Sequence, residues 1–236
     1  MKKYEGSVAV VTGARKGVGR QIAQHFLAEG ALVVGLSRGD GDIQHANYTH
    51  FSVDVADAKQ VQNFFFKIAK QFSKIDIVVN NAAVLTSQYS MIMPAQNAQD
   101  MVNVNLLGTF FVSREAAKVM RKNKYGRIIN IGSMAASLEP MGDSIYAACK
   151  AGVSTLANIM AKEFSQFNVT CNTLGISAIE SDMLSQLPRE KIDEIIKNLP
   201  VPRYAQPQDI FNVIDFFASP ESSYISAQTI FLGGVN

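Results

Sequence analysis

A single doubly wound α/β domain, with a parallel sheet flanked by helices on both faces, is the fold this sequence predicts. Three observations predict it. Short β-branched runs alternate with longer stretches of helical periodicity along the whole chain, and alternation of that kind builds parallel sheets covered on both sides. The first strand candidate runs directly into a glycine-rich turn that opens a helix, the arrangement by which such sheets hold nucleotides. No Pro/Gly/Ser cluster, repeat or low-complexity tract divides the 236 residues, a length that suits one large α/β domain. One domain over residues 1–236 is expected.

The strand candidates are residues 8–11, 32–36, 75–79, 128–131, 169–174 and 229–232, short apolar runs of the kind that buried strands present. The helix candidates are residues 20–29, 58–72, 98–120, 144–164, 188–198 and 207–218. Gly30 reads as the stop of the first helix, and Gly126, after residues 122–125, as the stop of another. Residues 39–42, Gly-Asp-Gly-Asp, form only a short polar turn.

Composition narrows the function classes. With 47% hydrophobic and 18% charged residues, the chain buries a sizeable core and is not disordered. A net charge of +2 points to neither nucleic acid nor a membrane surface as the main partner. Cys149 and Cys171 are too few for a disulfide framework and too far apart for a CxxC site. A reducing, cytoplasmic setting fits them. The first residues show no signal-peptide pattern, and no apolar run approaches the roughly 18 residues of a spanning helix. His25, His45 and His50 lack metal-ligand spacing, so no metal is expected.

Chemistry is concentrated at two places. Thr12-Gly13-Ala14-Arg15-Lys16-Gly17-Val18-Gly19 lies between a strand and a helix. Glycines there let the backbone approach a pyrophosphate, which helix N-terminal amides then hold. The Gly-x-x-x-Gly-x-Gly spacing differs from the common Gly-x-Gly-x-x-Gly fingerprint, and an ordinary turn is the alternative. At the end of the second strand, where an acid would bind a ribose 2′-hydroxyl, stand Ser37 and Arg38. A hydroxyl and a guanidinium suit a 2′-phosphate, and Arg15 and Lys16 add positive charge. NADP(H) is therefore favoured over NAD(H), although solvated basic side chains, or Asp40 and Asp42 folding back onto the ribose, are the competing readings. Asp54 and Val55 follow a short apolar stretch and are expected at the adenine ring. Asn80-Asn81-Ala82-Ala83 is expected to form a cofactor-facing turn, with Asn81 and Ala82 in contact.

The second place is Tyr146-Ala-Ala-Cys-Lys150, with Ser133 thirteen residues upstream of the tyrosine. A Tyr and a Lys four apart share one helix face, where an ammonium can lower a phenol pKa that starts at about 10. A serine at a neighbouring strand end can hold the carbonyl or alcohol that the phenol serves. A buried Tyr beside a snorkelling Lys is the plain alternative. Asn105, inside a helical stretch with apolar neighbours, is unusual enough to suggest an inward role.

Taken together, these residues resemble the short-chain dehydrogenase/reductases of compact type, over essentially the whole chain, with a Rossmann-type domain. The resemblance rests on Thr12-Gly13-x-x-x-Gly17-x-Gly19, Asp54, Asn80-Asn81-Ala82, Asn105, Ser133 and Tyr146-x-x-x-Lys150, in family order. Within the family the chain looks most like the 3-oxoacyl-thioester reductases, from residues 125–131, 182–188 and 202–207. The resemblance implies NADPH-dependent reduction of a ketone, with Tyr146 as proton donor and Ser133 holding the same oxygen. Lys150 would hold the nicotinamide ribose and lower the phenol pKa, and Asn105 would link Lys150 to a relay water. Ile179 and Ser181 match the residues expected at the nicotinamide carboxamide. Ile176-Ser177 departs from the family's usual Pro-Gly, and Ala83 from its final glycine. Lys124 and Phe167 occupy the positions at which acyl-carrier reductases present two basic residues near the active-site mouth. With one of them basic, an acyl-carrier protein is less favoured than a coenzyme A ester, a dedicated carrier or a small ketone. The rival readings are an NAD-dependent alcohol or sugar dehydrogenase and a nucleotide-binding regulator without activity.

Substrate identity is expected to reside in residues 85–95 and 181–200, with Met91, Ile92, Met93, Met134, Met183, Leu184 and Leu187 making an apolar surround. The two long helix candidates, 98–120 and 144–164, carry apolar residues on more than one face, as helices at homodimer or homotetramer interfaces do.

Overall fold

The computed structural model of the chain describes residues 2–235. Seven parallel strands form one sheet in the order β3-β2-β1-β4-β5-β6-β7. They are β1 (Val8–Thr12), β2 (Leu32–Ser37), β3 (Tyr48–Ser52), β4 (Ile77–Asn80), β5 (Gly126–Ser133), β6 (Val169–Ile176) and β7 (Thr229–Phe231). The chain begins in the middle, winds outward to β3, then crosses back to lay β4 beside β1. That reversal leaves a crevice at the carboxyl ends of β1 and β4, where doubly wound sheets bind ligands.

Successive strand residues feed opposite faces. Ala9, Val11, Val79 and Ile129 pack against α1 (Gly17–Ala28) and α8 (Pro207–Ala218), through Ile22, Phe26, Ile210, Ile214 and Phe217. Val10, Val78 and Ile128 face the other way, onto α2 (Ala58–Phe72), α4 (Thr109–Asn123) and α6 (Ser144–Phe164), with Phe64, Ile68, Met120 and Met160 in that layer. Each fully buried Phe, Ile or Leu contributes about 1.5–3 kcal/mol, so two such layers clamp the sheet from both sides. Residues Ala135–Leu138 form the short α5, and residues Arg189–Lys197 form α7, whose Ile192 and Ile196 pack with Ala178 just beyond β6.

Three features differ from the sequence expectation. The apolar stretch before Asp54 is the edge strand β3, whose half-exposed Tyr-Thr-His-Phe-Ser carries too many polar residues to signal a buried strand. Gly126 does not stop a helix. Lys124 does, in the left-handed conformation (φ 50°), while Gly126 opens β5 because a side chain there would strike Met120. The helix expected over residues 98–120 is a longer run in three parts: α3 (Ala95–Met101), a π-helical stretch (Val102–Gly108) and α4. A wider turn inside an α-helix is a frequent mark of a functional position, and this one turns Asn105 inward. Among the described residues no helix is long and apolar enough to cross a membrane.

Candidate active site

A cleft of about 260 Å³ lies over the carboxyl ends of the central strands. Gly13 (φ +68°) and Gly17 (φ +56°) adopt the left-handed conformation that glycine permits. A Cβ on Gly13 would stand 2.8 Å from Asn81 Nδ2, so only a glycine lets the turn close. Both glycines line the cleft with Arg15, Lys16 and Val18. Gly19 does not. It packs α1 beneath the turn, where a side chain would strike Asn81 and the Gly13 carbonyl. No side chain caps α1, which leaves its first amides for an anion. Thr12, given no role of its own by sequence reasoning, ties the turn together. Its hydroxyl accepts from the Asn81 and Ala82 amides at 2.9 and 2.8 Å, and its carbonyl accepts from Asn81 Nδ2 at 2.9 Å. Asn81 and Ala82 thereby reach the cleft wall, opposite Asp54 and Val55.

At the ribose end the cleft is lined by Arg15, Ser37, Arg38 and Gly39. Neither Asp40 nor Asp42 lines it. Asp42 is instead paired with Arg20 of α1, so no acid folds back onto the ribose from this turn. His50 of β3, expected only as a scattered surface residue, braces the region. Its Nε2 lies 3.0 Å from both the Ser37 hydroxyl and the Gly39 carbonyl. A carbonyl only accepts, so Nε2 is assigned the proton and Nδ1 accepts from the Tyr48 hydroxyl at 2.7 Å. Burial pushes the Tyr48 phenol up to about 12, with Arg20 opposing and Asp42 assisting. Gly35 makes room for this hydroxyl, which any side chain there would strike. A free α1 terminus and left-handed glycines fit the pyrophosphate of a dinucleotide.

Ser133 ends β5, while Tyr146 and Lys150 lie one turn apart on α6. Burial pushes the Tyr146 phenol up to about 12. A hydrogen bond with Ser133 pulls it down, and Asp143 and Cys149 push it further up. The net direction is upward, where the sequence expectation was a phenol lowered by Lys150. The Lys150 ammonium is itself buried and donates to the Ile131 carbonyl at 2.7 Å, with Nζ 5.7 Å from the Tyr146 ring centre. Burial brings Lys150 down to about 8, against a smaller opposing effect of Cys149. The phenol is therefore neutral at physiological pH and placed to give a proton.

Asn105 is buried in the π stretch, which packs against α6. Its side chain grips the backbone of Val84, donating to the carbonyl at 2.9 Å and accepting from the amide at 2.8 Å. Its own carbonyl accepts from the Thr109 hydroxyl at 2.9 Å. Asn105 thereby holds the segment after β4.

A second cavity, of about 150 Å³, adjoins the cleft. Tyr146, Ile176, Ile179, Ser181 and Met183 line both. Ser133 faces the second one only, whose remaining wall is mostly Leu, Ile and Met. Of the segments expected to shape it, Leu85, Ser87 and several residues from Ser181 onward do so, but Met91, Ile92 and Met93 do not. Met91 is 99% exposed. The stretch from Met134 to Asp143 supplies much of the wall instead. Ile176 continues β6 without the usual Pro-Gly, its carbonyl accepting from the Met134 amide at 2.9 Å. Lys16 and Asp182, 2.9 Å apart, bridge the glycine turn and the loop after β6. Lys124 and Phe167 precede the starts of β5 and β6. Within one chain they therefore lie an eight-residue strand, roughly 25 Å, from Ser133, at the opposite end of the sheet.

The fold and this site define a nucleotide-dependent oxidoreductase, and comparison with known proteins agrees. A family model described as enoyl-(acyl carrier protein) reductase matches residues 13–236. The 3-oxoacyl-(acyl-carrier-protein) reductase FabG of Escherichia coli (strain K12) is 32% identical over 237 residues, 98% of this chain and 97% of that protein. The FabG of Vibrio harveyi is 33% identical over 236 residues, with the same coverage. Among solved structures, Thermoplasma acidophilum aldohexose dehydrogenase superposes with a TM-score of 0.90 at 28% identity, covering 99% of this chain and 95% of that one. The chain belongs to the short-chain dehydrogenase/reductase family of oxidoreductases.

Proposed function

We propose that the chain reduces a ketone to a secondary alcohol with NADPH, the ketone being a 3-oxoacyl thioester or a related ketide. The observation that carries this reading is a neutral Tyr146 at the seam between the cleft and an apolar cavity, with the Ser133 hydroxyl facing that cavity beside it. Bound NADPH supplies a hydride at its nicotinamide C4. Tyr146 gives its proton to the carbonyl oxygen as negative charge develops there. Ser133 donates to the same oxygen and fixes its place, a preorganised contact typically worth about 3 kcal/mol in the transition state. Lys150 holds the nicotinamide ribose, and Arg15, Ser37 and Arg38 hold the 2′-phosphate.

Two hydroxyls directed at one oxygen suit carbonyl reduction, as in the relatives' name, better than the enoyl reduction that the family description names. The apolar cavity suits an acyl chain, and a coenzyme A ester is the first carrier to try. The aldohexose dehydrogenase likeness favours the oxidative alternative, yet a phenol held near 12 is a poor base at neutral pH. The decisive experiment follows NADPH and NADH oxidation with acetoacetyl coenzyme A, with Tyr146→Phe alongside. Turnover with NADPH, lowered 10²- to 10⁴-fold by Tyr146→Phe while NADPH still binds, supports the reading. Near-normal turnover in that variant would sink it.

The reading includes self-association. Leu107 and Ile159 are 38% and 50% exposed on the outer face of the π stretch and α6, and sedimentation of a monomer at micromolar concentration would remove it.

A further inference from the structure

Asp143 is the only carboxylate lining the substrate cavity among the described residues, and it is 7% exposed. Its Oδ1 is fully buried and has no hydrogen-bond partner. Asp143 is the residue that opens α6, a position where an Asp side chain ordinarily caps the helix amides, yet it makes no cap bond. Its backbone is occupied: the carbonyl accepts from the Ala147 amide at 2.7 Å and the amide donates to Pro140 at 3.2 Å. The turn before it is pinned by Gly142, whose carbonyl accepts from the Gln88 amide at 2.8 Å. Lys191, the only cation lining the cavity among the described residues, forms no ion pair with Asp143. It rests 5.9 Å from the Tyr89 ring centre. A buried acceptor in an apolar wall is costly to leave unmet, and the fold provides no donor for it.

We propose that Asp143 is a specificity-determining residue whose free carboxylate oxygen accepts a hydrogen bond from a hydroxyl on the substrate, so that the preferred ketones are hydroxyketones. This rests on the ketone-reductase reading. Residues three apart at a helix start are surface neighbours, so the hydroxyl lies within a few bonds of the carbonyl that Tyr146 protonates. A plain 3-oxoacyl thioester brings no hydroxyl to that place, so Asp143 ranks hydroxylated ketides and other hydroxyketones above it. A site built to hydrogen-bond a hydroxyl rejects the analogue that lacks one far more strongly than an apolar pocket rejects a changed methylene.

The test uses an isosteric pair, 1-hydroxy-2-heptanone and 3-octanone, with NADPH. In the native protein kcat/KM is expected to favour the hydroxyketone by tenfold or more. In Asp143→Leu the ratio falls to about one, and Asp143→Asn, which keeps an acceptor, restores part of it. The melting temperature of Asp143→Leu should stay level or rise, since a buried oxygen without a partner is removed. A fall of several degrees would show that Asp143 is paired within the protein and overturn the proposal, as would an unchanged ratio in Asp143→Leu. If neither ketone is reduced, the ketone-reductase reading fails on its own. Binding then decides the inference: in the nucleotide-loaded protein, a larger thermal shift with 1-hydroxy-2-heptanone than with 3-octanone, lost in Asp143→Leu, upholds it. Equal shifts reject it.

Discussion

Lys150 and Tyr146 are neighbours on one helix turn, yet burial moves them in opposite directions. The ammonium is easier to discharge, at about 8, and the phenol harder, at about 12. Below pH 8 the pair is therefore an ammonium beside a neutral phenol, the state a reductase requires. As pH rises through about 8, Lys150 loses its charge while Tyr146 keeps its proton. Turnover in the reductive direction is thus expected to fall above pH 8 with a single apparent pKa, and to show no matching fall caused by Tyr146 until far higher pH. A kcat profile from pH 6 to 10 checks this. A rate that climbs through pH 8 would contradict it.

A carboxylate on α8 fastens three parts of one face together. Asp215 accepts from Lys3 at 2.8 Å, the Tyr4 hydroxyl at 2.6 Å and His25 Nε2 at 2.8 Å. Burial alone would raise its pKa, but these donors outweigh it and hold the carboxyl at about 2. Because the folded value is depressed, the stabilisation is complete above the ordinary aspartate range and fades as pH falls from about 4 towards 2. Asp215→Asn is expected to cost about 2 kcal/mol at neutral pH and to flatten the loss of stability between pH 4 and 2. Urea unfolding at pH 7, 4 and 2.5 measures both. At this scale the sequence was legible where one residue type has one physical use: the glycine turn, the Tyr-x-x-x-Lys face and the alternation of strand and helix. It was silent where an element's signal is diluted. β3 is a half-polar edge strand, and the π stretch differs from α-helix by one extra residue per turn, which apolar spacing does not register. His50 and Asp143 escaped because their importance comes from neighbours brought in by the fold, and Gly126 misled because a close approach by Met120, not a helix end, requires it.

Across the whole molecule, every residue of the proposed chemistry stands at or beyond the carboxyl end of a strand, and each strand belongs to one sheet. A nucleotide seated across β1, β2, β4, β5 and β6 would therefore brace five of the seven strands. NADPH at one hundred times its dissociation constant should add about 2.7 kcal/mol, which for a chain of this size raises the melting temperature by about 5–10 °C. NADH at the same concentration should give a smaller rise, because Arg15, Ser37 and Arg38 lack a phosphate to hold. Equal shifts for the two nucleotides, read by differential scanning fluorimetry, would remove the NADPH preference.

The seam between the two cavities also bears on how such a protein diversifies. Only Tyr146, Ile176, Ile179, Ser181 and Met183 belong to both compartments. The walls contributed by Met134 to Asp143 and by Leu184 to Ile195 touch the substrate side alone. On the proposed reading, mutation in those two stretches alters what is reduced while leaving the nucleotide cleft intact. Specificity is thereby free to drift at a short remove from the chemistry, and the same two stretches are where a designer would begin.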